Sequence, residues 1–118
     1  VFMHDFKELI VWQKTMNFTK RFYEITSNYP KSEIYGLTSQ SRRACVSIAS
    51  NIAEGAGRNS NAQFINFLNI ALGSSFELEC QIILARDLEF IQVEISDNLL
   101  KDLKHIQNML VKLIQNYN

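Results

Sequence analysis

Residues 96–117 read SDNLLKDLKHIQNMLVKLIQNY. Leu99, Leu103, Ile106, Leu110, Leu113 and Tyr117 recur at steps of four and three, the spacing that lines one face of an α-helix. Ser96 or Asp97 can cap its start, and Leu100, Gln107 and Ile114 flank the seam. Lys101, Lys104, His105 and Lys112 fall on the more exposed face, where a basic strip usually means a solvated surface. A helix with one long apolar seam needs partners to cover it.

Upstream, Asn59, Ser60 and Asn61 offer caps for a third helix. It carries Phe64, Phe67, Leu68, Ala71, Leu72, Ser75, Leu78, Ile82 and Ala85 and runs to about Phe90. Gly73 inside it is expected to permit close packing of another helix. A second helix starts at Leu37 and buries Ala44, Cys45, Ile48, Ala49 and Ile52. Gly55-Ala56-Gly57 is expected to stop it, since glycine readily takes the left-handed conformation that ends helices.

The first helix is expected from Asp5, with Glu8 in capping-box spacing, to about Ser27, before Asn28-Tyr29-Pro30 ends it. It has two apolar stripes, Leu9, Trp12, Met16, Tyr23 and Thr26 beside Val11, Phe18, Phe22, Ile25 and Tyr29. That is more than one neighbour can cover. Four helices with short connections predict a single all-α domain over residues 1–118, an antiparallel up-down-up-down four-helix bundle.

Composition agrees: 118 residues suit one domain, and 4 Gly with 1 Pro are too few for a loop-rich β architecture. With no obvious apolar run of membrane-spanning length and no signal-peptide pattern in the first five residues, a cytoplasmic location is expected. Val1 and Phe2 precede Met3, where a natural start is expected. Twelve basic and twelve acidic side chains cancel, so any nucleic-acid site must be local.

No catalytic site is apparent. Ser47 and Ser74 lack a nearby general base, and Glu54 and Glu77 lack the Glu-x-x-His pattern of bundle metal sites. Cys45 and Cys80 read as reduced core residues, and His4 and His105 as solvated or partner-facing. No metal or cofactor is implied. Arg43, Ser47, Asn51 and Glu54 share one face of the second helix, with Arg58 just beyond. Asn66, Gly73, Ser74, Glu77 and Gln81 form a matching line on the third. The two lines predict a hydrogen-bonded layer and an Arg43–Glu77 pairing, within one chain or between two. Arg42, Arg43 and Arg58 are the candidate phosphate contacts, because guanidinium forks suit phosphate oxygens.

Residues 36–55, GLTSQSRRACVSIASNIAEG, resemble a four-helix-bundle family encoded by intervening sequences of bacterial large-subunit ribosomal RNA genes. Asp5 to Leu9 with Val11-Trp12, and Phe67 to Glu79, match its other blocks in order. Gln40, Arg42, Arg43, Ser47, Asn51, Glu54, Gly55, Arg58, Ser74 and Glu77 are the signature positions. The resemblance implies a homo-oligomer, a pentamer shaped as a tapered barrel, with no enzymatic activity, and offers a cover for the second stripe of the first helix. Relatives similar to accessory proteins of diversity-generating retroelements bind nucleic acid and a reverse transcriptase, and are strongly basic. This neutral chain departs from them. The expected role is a scaffold that binds RNA, DNA or a protein handling them, the alternative a purely protein–protein adaptor.

Overall fold

The computed structural model describes residues 4–118, and the expectations for the chain start at Val1 to Met3 lie outside the described residues. Four helices follow one another, α1 (Ile10–Thr26), α2 (Leu37–Ala56), α3 (Asn61–Asp87) and α4 (Val93–Tyr117). Single 3-10 turns sit at Phe6–Glu8 and Lys31–Glu33. Each helix packs on the next and α4 closes on α1, while the diagonal pairs keep their backbones apart. The expected up-down-up-down bundle results, 47 × 24 × 20 Å.

The core is the one the periodicities predict. Leu99, Leu103, Ile106 and Leu110 of α4 meet Ile48 and Ile52 of α2, Phe64, Leu68, Leu78 and Ile82 of α3, and Phe18 and Phe22 of α1 in one buried cluster. Both stripes of α1 find cover within the chain, because α1 lies between two neighbours, α2 and α4. Of its large apolar residues only Ile10 and Tyr23 stay exposed. The oligomer is therefore not needed to explain that helix.

Four boundaries differ from expectation, each for a local reason. Asp5 caps the 3-10 turn through Lys7 N–H, Leu9 is extended, and α1 begins only at Ile10. This break lets Phe6 fold back against Trp12, ring centroids 5.0 Å apart. Gly55 does not stop α2. It lies inside the helix, where a Cβ would come within 2.6 Å of Phe67 Cβ and 3.3 Å of the Phe64 carbonyl oxygen. Its role is close approach, and among the described residues no glycine has a positive φ.

Ser96 does not cap α4. The helix starts at Val93, and the buried Ser96 hydroxyl donates back to the Val93 carbonyl. The left-handed residue of the fold is Glu89, φ 64°, after α3. There Phe90 N–H reaches Ala85 O and Glu89 N–H reaches Arg86 O, which closes the end of α3 as a Schellman motif.

Two further side chains sit elsewhere than expected. Cys80 is exposed, not core, whereas Cys45 is buried with its thiol donating to Thr19. His4 belongs to an aromatic trio, 4.9 Å from Phe64 and 5.1 Å from Tyr117, and its N–H binds the Ala56 carbonyl at the end of α2.

Substituting Gly55→Ala should destabilise the chain by about 1–3 kcal/mol, the usual cost of overpacking. Gly57→Ala, whose Cβ would meet only ordinary contact at 3.7 Å, should stay within about 0.5 kcal/mol. Glu89→Gly should add about 1 kcal/mol by relieving the left-handed backbone. Urea melts of the three variants measure all of these.

Candidate functional site

The expected polar layer between α2 and α3 exists in small form. Ser47 Oγ and Ser74 Oγ lie 2.9 Å apart, and Asn51 Nδ2 donates to Ser47 Oγ and to its carbonyl. The layer is half-buried and joins the two helices at their outer edge. Its hydroxyls bond to each other and to an amide, none of which is a general base. Glu77 accepts from Gln81 at 3.4 Å, and Arg43 is exposed. The Arg43–Glu77 pairing is absent within one chain, leaving only its intermolecular form. Gln40, Glu54 and Glu77 are exposed, and Gly55 is the buried contact already described.

The three candidate arginines do not converge. Arg42 is half-buried, its Nε donating to Thr26 Oγ1 at 2.8 Å and its NH2 to the Tyr23 carbonyl, with the guanidinium 4.5 Å from the Tyr23 ring. It closes the C-terminal end of α1, where exposed carbonyls attract a cation. Two of its donors are therefore engaged within the chain. Arg58 pairs with Glu54 at 2.8 Å and lies 4.7 Å over the Phe67 ring. Arg42 and Arg58 are separated by sixteen residues along α2 and its end, about 24 Å at helical rise. Among the described residues, no three His, Cys, Asp or Glu side chains gather as a metal site.

Sequence reasoning missed the outer face of α3. Ile70, Phe76, Leu84 and Leu88 are 45–52% exposed, with Cys80 among them. A Cβ on Gly73 would meet nothing within 4 Å, so the glycine opens outward and the expected packing partner is not in this chain. Contrary to the reading of the sequence, α3 is long and apolar enough by composition to cross a membrane. The bundle gives a different account of that composition, since one face of α3 fills the core and the opposite face sets these apolar residues among Asn66, Asn69, Glu77 and Asp87. Its nearly uniform hydrophobicity was the available signal, because a helix apolar all round is normally covered all round.

The family model for the 23S rRNA-intervening sequence protein matches residues 7–112. The chain belongs to this family. A crystal structure of an S23 ribosomal protein family member of unknown function from Bacteroides thetaiotaomicron is similar, with a TM-score of 0.84 and 29% identity. The match covers 90% of this chain and 96% of that one. No curated protein matches. The 23S rRNA-intervening sequence family thus supplies a fold in common, and in this chain Gly55 and the Ser47–Ser74–Asn51 layer join α2 to α3.

Two buried groups tie the fold to pH. Burial pushes the Tyr29 hydroxyl up to about 12 and the Cys45 thiol up to about 11, the latter opposed by its bond to Thr19. Each stays protonated in the folded chain while its unfolded counterpart ionises, so their contribution is intact below about pH 9 and is lost progressively up to about pH 12. Thermal melts across that range should show falling stability, and Cys45→Ser should flatten the lower part of the fall. Arg42→Ala should cost about 1–3 kcal/mol through its lost charge-assisted bonds, whereas Arg43→Ala should change little.

Proposed function

We propose that the chain is a non-enzymatic homo-oligomeric scaffold or adaptor that assembles through the outer face of α3. The observation that carries this is the unpartnered run of Ile70, Phe76, Leu84 and Leu88 around an open Gly73. Covering a large apolar side chain contributes about 1.5–3 kcal/mol when complete, so four half-exposed ones supply several kcal/mol to an interface. The topology adds Ile34, Tyr35 and Val93, all more than half exposed, at the end of the bundle where α3 finishes. Two distinct apolar regions suit a head-to-side contact, which closes into rings. The pentamer implied by the family resemblance is one such ring, and we adopt it as the expected state. The exposed Arg43 and Glu77 on α2 and α3 are placed to pair across it.

Its cargo in this reading is RNA, DNA or a protein that handles them, with the purely protein–protein adaptor as the alternative. The site of greatest sequence interest, at Arg42 and Arg58, has its donors engaged within the chain and lends nucleic acid no support. Support comes from another side of the molecule.

Light scattering should give a particle of several 13.7 kDa chains, five by expectation. Leu84→Glu, at a side chain 46% exposed in the single chain, should yield folded monomers. Cys80 should react with a thiol reagent in those monomers and be shielded in the wild type. A monomeric wild type with a reactive Cys80 would sink the reading.

A further inference from the structure

The neutrality of the chain hides a division of charge. α1 and α4 together hold six of the twelve basic side chains and four of the twelve acidic ones, Glu24, Glu94, Asp97 and Asp102. This part carries a formal charge of +2 and the remainder −2. α1 and α4 are neighbours, and their shared side lies opposite the α2–α3 side with its polar layer.

Of these acids, Asp102 is bound by Arg21 across the two helices at 2.6 Å, and Asp97 lies 4.0 Å from Arg86 of α3. Lys14, Lys20, Lys101, Lys104 and Lys112 are all exposed, and none forms an ion pair among the described residues. Between the helices runs a groove of about 240 Å³ lined by Lys14, Asn17, Arg21, Asp102 and His105 above the ring of Phe18. Glu8 faces the neighbouring cleft with Lys112.

We infer that this α1–α4 side binds the phosphate backbone of a nucleic acid, seated along the groove and held by Lys14, Lys101 and Lys112 with their flanking lysines. The inference rests on the scaffold reading for its avidity, since sites repeated by symmetry act together. Several features select the occupant. The lysines from 101 to 112 extend over about 16 Å, longer than one small anion and long enough for several phosphates. The groove offers an asparagine amide and an imidazole beside its cations, hydrogen-bonding groups suited to phosphate and sugar. A lipid surface would instead want large exposed apolar side chains beside the lysines; Ile10 and Val111 are the exposed ones near Lys112, whereas Phe18 and Ile106 in the groove are buried. Lysine and not arginine carries the charge, which favours backbone attraction over bidentate base reading.

The experiment is fluorescence anisotropy with a labelled, mixed-sequence structured RNA at low and moderate salt, with light scattering on every variant. The wild type should bind at low salt and weaken steeply as salt rises. Lys14→Ala/Lys101→Ala/Lys112→Ala should raise Kd by about tenfold or more and lower the log–log salt slope by about two to three. Arg58→Ala removes a cation outside this surface and should leave Kd within about twofold while the particle mass is unchanged, a control tied to the same salt analysis. Absence of RNA binding by the wild type at low salt overturns the inference, as does equal loss in the arginine variant. Retention on phosphatidylserine vesicles without RNA binding overturns it in favour of a membrane. A monomeric wild type that still binds RNA through the three lysines removes the scaffold and leaves this surface standing.

Discussion

The approach of α2 to α3 at Gly55 is the constraint from which the rest of the bundle follows. With no side chain there, the helix backbone comes against Phe64 and Phe67 at the start of α3, and a connection of four residues suffices to turn the chain. Ser47, Ser74 and Asn51 then fix the same two helices farther along. Close packing without voids is how a protein interior holds one register, and a hydrogen-bonded polar pair adds direction to it. Because α2 and α3 are locked in this way, the long α3 presents one face to Leu99, Leu103 and Leu110 of α4 and must turn its other apolar face outward.

The ends of the helices are held by side chains and carbonyls in different ways. Arg42 and Thr26 close α1, Glu33 accepts from the Leu37 N–H at the start of α2, and the His4 N–H takes the Ala56 carbonyl at its end. Each satisfies a backbone or side-chain group that a helix terminus leaves open. The arginine most suggestive of phosphate binding is thereby a structural clasp. A guanidinium reaching the last carbonyls of a helix and one reaching a phosphate use the same donors.

The four helices and nearly all of the core were legible, because steps of three and four in Leu99 to Tyr117, and in the buried residues of α2, are long-range statements about a face. The helix limits at Leu9, Ala56 and Val93 were not, since they depend on Phe6 folding onto Trp12 and on Gly55 meeting Phe67. The Ser47–Ser74–Asn51 layer followed from matching polar lines. Cys80 was misread because a position among apolar residues looks like core when a helix has apolar residues on both sides, and the helix that Gly73 is expected to admit is not in this chain. The groove between α1 and α4 was half visible: Lys101, Lys104, His105 and Lys112 form a strip in one segment, but Lys14 and Arg21 join it only once the chain has folded.

The balance of charge within the chain also bears on crowding copies together. A scaffold that was uniformly basic would accumulate like charge with every subunit added, and self-repulsion would grow faster than the contact area that opposes it. Here each added copy brings as many acidic groups as basic ones. A particle of any size stays neutral in sum while its lysine-bearing flanks multiply, so strength of surface field and ease of growth are no longer in opposition.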